Sequence, residues 1–196
     1  MSNSNFASKQ GEKRESSVIS QSKKEEKTEV NPEEKKKEIE QKVEEEKKRI
    51  REEFLKYEEQ HLDLWDEMVK SMQNEDVYSA YYYADKSEKS LLNIWREIRS
   101  LKCNKTGDDE FDKQCKGVIK SGNTAYLLKQ EAAKKLMVWF EDLNSPKKAT
   151  GAKEALEQAV QSWKAFQFEL ALITMSQEEL QKYQKKAEKE NSNKKK

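Results

Sequence analysis

The chain has 196 residues, enough for one domain with tails, and 39% of them are charged against 34% apolar. Its 39 basic and 38 acidic residues nearly cancel, which argues against the broad positive field of a nucleic-acid binder. Five glycines and two prolines among abundant Glu, Lys, Gln, Ala and Leu favour helix throughout, and no apolar run is long enough to span a membrane.

Residues 1–31 offer only Phe6, Val18, Ile19 and Val30 as sizeable apolar side chains. They cannot bury enough surface to offset backbone entropy, so a disordered tether is expected. No hydrophobic leader follows Met1.

A first helix is predicted from Asn31 and Pro32, an N-cap followed by a proline, with Glu33 and Glu34 complementing the helix dipole. Ile39, Val43, Ile50, Phe54, Tyr57, His61, Leu64, Trp65, Met68 and Met72 give it a three-to-four spacing. About 42 residues at roughly 1.5 Å each make a rod near 60 Å. Its first half, 32–49, is therefore expected to project as a charge-laced, solvated stalk. A coiled-coil seam through Ile39, Val43 and Ile50 is the alternative.

Asn74-Glu75-Asp76 should cap a second helix with Val77, Tyr81, Ala84, Leu91, Trp95, Ile98 and Leu101 on one face. A loop over 102–108 leads to a short helix around 109–119 that is expected to end near Ser121 and Gly122. A third helix would then carry Ala125, Leu128, Ala132, Leu136, Trp139, Phe140 and Leu143. Ser145-Pro146 caps a fourth with Leu156, Val160, Trp163, Phe166, Leu170 and Ile173, and Ser176 with Glu179 fits a capping box for a last short helix. Short connections make neighbours antiparallel. The expected fold is all-α: an up-and-down bundle of four to five helices over 32–190, with a disordered basic tail at 191–196. Trp65, Trp95, Trp139 and Trp163, one per helix, are read as anchors of one core.

Cys103 and Cys115 bracket a polar turn. Two cysteines and one distant histidine are too few for a structural zinc site, and no C-x-x-C suggests redox chemistry. A disulfide clipping the loop is expected, which needs an oxidising compartment; two buried free thiols are the other reading. His61, on the apolar face a turn before Trp65, is read as structural. Catalytic, phosphate-binding and EF-hand patterns are absent, so the chain is not expected to be an enzyme or to need a metal or cofactor. Asn104-Lys105-Thr106 matches the glycosylation triplet, and Asp108, Asp109, Glu110 and Asp112 form an acidic turn read as solvated rather than calcium-binding.

Tyr78, Tyr81, Tyr82 and Tyr83 cannot all face one core, because consecutive residues on a helix turn by about 100°. Tyr82 and Tyr83 are the candidates for an exposed ligand-binding surface. Lys182, Lys185, Lys186 and Lys189 share one side of the last helix and form a second candidate, a ribbon for sulfated polysaccharide.

A polar Ser/Asn/Lys/Glu tether feeding a Lys- and Glu-rich all-helical domain resembles the outer-surface lipoproteins of Borrelia-type spirochaetes. The lysine-terminated tail, Lys194 to Lys196, resembles that of their decorin-binding members. The resemblance implies an adhesin or complement-evasion protein at the cell surface, held to the outer membrane by a lipid anchor, and the chain is expected to be a monomer. Its partner would be a host serum or matrix protein, such as factor H, or a glycosaminoglycan. An intracellular adaptor that pairs through its long helix, with both thiols free, is the rival expectation.

Overall fold

The computed structural model describes residues 31–176, 178–182 and 185. Most of the expected tether, and all of the 191–196 tail, lie outside them. Four long helices are present: α1 (Pro32–Gln73), α2 (Val77–Ile98), α3 (Asp109–Phe140) and α4 (Pro146–Thr174). Residues 178–182 form a further short helical segment, and the described residues hold no strand. The fold is an all-α helical bundle.

Each boundary has a local cause. Asp76 caps α2 by accepting from the Ser79 amide. Asp108 caps α3 through the amides of Glu110 and Phe111, and Ser145 caps α4 just before Pro146. Such caps satisfy amide groups that the helix itself leaves unpaired. Ser176 and Glu179 form the expected capping box, each side chain accepting from the other's amide. Between α1 and α2, the Asp76 amide donates to the Ser71 carbonyl at 3.0 Å and Glu75 takes a left-handed φ of 59°.

Helix α3 packs against both α2 and α4, while α1 packs against α2 and, along a narrower seam, α4. Direct contacts fix the antiparallel order. Tyr81 near the start of α2 reaches Glu141 just past α3, and Glu88 further along α2 accepts from Gln130. Phe54, Tyr126 and Phe166 form the aromatic centre, with the Phe54 and Phe166 rings 4.8 Å apart. Burying each such ring contributes on the order of 1.5–3 kcal/mol.

Of the four tryptophans, only Trp65 is buried. Trp95, Trp139 and Trp163 are half-buried and pack on the edge of the core. The large indoles cover the core rather than fill it.

Leu143, expected on the third helix, lies beyond its end at Phe140 and is exposed, and Val160, expected on the apolar face of the fourth, is exposed as well. Three further expectations need correction. First, residues 109–119 and the third helix are one continuous α3, which passes through Gly122 unbroken. A Cβ at Gly122 would lie 2.8 Å from the Phe54 ring and 2.9 Å from the Phe166 ring. The glycine admits those rings and does not end the helix. Second, α2 ends at Ile98, short of Leu101, and buries Ala80, Ala84, Ser87, Leu91, Ile94 and Ile98, so Tyr81 lies outside the buried stripe. Third, the stretch 32–49 is not a free stalk. Residues 32–38 are exposed, but Ile39 packs against Gly107, Val43 joins the core and Glu46 is buried.

Candidate functional site

Because neighbouring helices run antiparallel, the bundle has two chemically different ends. One carries the loop joining α2 to α3, and its chemistry is that of a lock. Cys103 and Cys115 are bonded as a disulfide, their Cα atoms 6.1 Å apart. Beside it lies Glu46 of α1, 3% exposed, with both carboxylate oxygens fully engaged. Arg49 donates to each oxygen, at 2.9 and 2.6 Å, and the Asn104 amide and side chain donate at 2.8 Å apiece. Arg49 also donates to the Lys102 carbonyl. Burial pushes the Glu46 carboxyl up, but the hydrogen bonds from Arg49 and Asn104 outweigh it and hold the group below its ordinary range.

Ligand-capable atoms of Glu46, Cys103 and Cys115 lie within 4.8 Å of one another. Their chemistry is already spent: the sulfurs are bonded together and the carboxylate accepts four hydrogen bonds. The group clamps the loop to α1. The Asn104 side-chain nitrogen of the glycosylation triplet is committed to Glu46. The acidic turn is similarly occupied: Asp108 caps α3, and Asp112 accepts from the Thr106 amide and hydroxyl.

Midway along the bundle, Lys129 of α3 is 3% exposed. Its Nζ sits 4.2 Å from the ring centre of Trp163 and 4.5 Å from that of Trp65, and it donates to His61 Nε2 at 2.9 Å. The opposite ring nitrogen, Nδ1, donates to the Tyr57 carbonyl at 2.9 Å, which leaves Nε2 as acceptor. Burial lowers the Lys129 pKa to about 8, opposed by Glu58 and Asp66. Burial and the nearby Lys129 charge lower that of His61 to about 4. The two indole faces replace part of the water the ammonium has lost. His61 is fully buried on the apolar face, with both ring nitrogens bonded. The lysine that depends on it was not expected.

The other end carries the α1–α2 and α3–α4 turns, and here large apolar groups face solvent. Tyr78 is 92% exposed, Tyr82 55% and Leu143 49%. Tyr82 is edge-on to Tyr83, and Lys86 lies 5.5 Å above its ring. Tyr81 donates to Glu141, which ties this face of α2 to the end of α3. Behind it a hollow of about 230 Å³ is lined by Met72, Val77, Trp139, Phe140 and Leu143. A second of about 370 Å³ lies between Met72, Leu136, Trp139 and the start of α4. The Trp139 indole N–H, buried beside both, has no hydrogen-bond partner among the described residues. Open aromatic surface over a loosely filled end can bury area on a partner at small entropic cost.

The two candidate surfaces read from the sequence are not brought together. Tyr82 stands exposed at the turn end, whereas Tyr83 is half-buried against the core. Lys182 and Lys185 are exposed on the segment after α4, which Arg51 ties to α1 through Glu179, toward the disulfide end. Lys186 and Lys189 lie outside the described residues. Tyr78 belongs with Tyr82, and its position four residues earlier on the same helix face was the available signal. Comparison with known protein families, with curated proteins and with solved structures finds no match to this chain.

Proposed function

We propose that this chain is a surface-displayed binding protein of the adhesin or immune-evasion kind. It recruits a host serum protein, such as a complement regulator, or a matrix component. The observation that carries this reading is the exposure of Tyr78, Tyr82 and Leu143 at one end of the bundle. Helix α1 enters at the opposite, locked end, where Ile39 packs on Gly107. The Cys103–Cys115 bridge supports an oxidising compartment and favours this reading over an intracellular adaptor.

The test is capture. Immobilised protein is exposed to human serum and to solubilised matrix, and bound proteins are identified after washing at physiological salt. One saturable partner is the expected result. A blank from both sources would sink the proposal.

A further inference from the structure

A second feature lies at the same end, on the outer seam between α3 and α4. A groove of about 340 Å³ runs between Glu131, Lys134, Lys135 and Val138 on α3 and Lys148, Gly151 and Ala152 on α4. The α3 residues follow the spacing of one helix face, and so do those of α4. The floor is apolar. Val138 is 43% exposed there, and a Cβ at Gly151 would meet nothing within 4 Å, so the missing side chain is what keeps the groove open.

The rim is basic. Among the described residues Lys134 and Lys135 have no ion-pair partner, while Lys148 holds Asp142 at 3.2 Å. Lys147 and Lys148 also occupy the first turn of α4, which carries no acidic residue although the dipole favours one there. Among the described residues, Glu131 is the sole acidic one lining the groove.

We propose that this groove binds an acidic peptide segment of the recruited protein, seating one of its aliphatic side chains on Val138, Gly151 and Ala152 while its carboxylates meet Lys134, Lys135 and Lys148. Charge complementarity sets the sign of the partner, and the apolar floor separates a peptide from a sulfated polysaccharide, which has no aliphatic group to cover Val138. The assignment rests on the host-protein-binding reading and adds the chemistry of the partner.

The probe is a short fluorescein-labelled peptide in which two leucines are flanked by glutamates, followed by anisotropy against the full chain. Saturable binding is expected that weakens as salt rises, and that is lost when glutamine replaces glutamate or serine replaces leucine. Lys134→Glu with Lys135→Glu should weaken it about tenfold or more, since two attractive contacts become repulsive. Gly151→Leu should weaken it similarly by filling the groove. Its side chain enters open space and a helical glycine is lost, so folding is retained.

Equal binding of the glutamine peptide, or indifference to both variants, overturns the proposal. So does a heparin oligosaccharide that binds through these lysines while the peptide does not. If serum or matrix capture requires Tyr78 and Tyr82 but ignores Gly151→Leu, the groove assignment fails while the host-binding reading stands. If capture is absent altogether, the reading itself has failed.

Discussion

Lys129 donates to His61 at 2.9 Å inside the bundle, where burial pushes the pKa of both residues down and the Lys129 charge lowers that of His61 further. The Tyr57 carbonyl takes the Nδ1 proton, so the imidazole stays neutral, and a neutral imidazole is the acceptor that a buried ammonium needs. A second proton on His61 would set two positive charges side by side.

The pair makes stability depend on pH in a defined direction. Lys129 titrates near 8 when folded and at 10.5 when unfolded, so between these values the unfolded chain holds the extra proton and stability rises with pH. The full rise is on the order of 3 kcal/mol. Urea midpoints of the wild type should therefore climb from pH about 8 toward 10, while those of Lys129→Met stay flatter. Matching pH profiles would contradict the assignment. On the acid side, His61 titrates near 4 folded and 6.5 unfolded, so its neutral form supports the fold above 6.5 and that support is lost as pH falls toward 4.

Glu46→Ala removes the acceptor for Arg49 and Asn104. Because Arg49 is one-third exposed, the expected loss is held to about 2 kcal/mol. The freed loop should also let a dithiol reduce Cys103–Cys115 faster. Unchanged stability and an unchanged reduction rate together would rule out the clamp.

Two glycines of α3 should respond with opposite signs. Gly122→Ala drives a methyl into the Phe54 and Phe166 rings and should cost about 1–3 kcal/mol. Gly117→Ala meets open space and should stabilise by about 0.5–1 kcal/mol. Thermal melts of the two variants would show it, and a stabilised Gly122→Ala would refute the packing described.

Glu75→Gly relieves a left-handed backbone at φ 59° and should raise stability by about 1 kcal/mol. A denaturant midpoint unchanged or lowered would mean that the Glu75 side chain compensates for its backbone.

Local chemistry carried much of the fold. Asp76, Ser145 and Ser176 announce their helices by residue type alone, because capping needs only a short polar side chain beside free amides. What failed depends on distant partners. Gly122 reads as a helix end until Phe54 and Phe166 stand on either side of it. Glu46 is one of three consecutive glutamates, and its bonds to Asn104, 58 residues away in the chain, single it out. Lys129 falls four residues after buried Ala125, a core position that a residue-type reading gives to solvent. The exposed end was half legible. The tyrosine run guaranteed an outward ring, but its exposure depends on how the α1–α2 and α3–α4 turns meet.

The most direct test of the account compares capture by the two ends. Wild-type protein, Tyr78→Ser with Tyr82→Ser, and Lys182→Glu with Lys185→Glu are immobilised and exposed to serum and solubilised matrix at physiological salt. The tyrosine variant should lose most of the bound partner while the lysine variant keeps it. Capture that survives loss of the tyrosines and disappears with the lysines would place binding at the disulfide end and contradict the account.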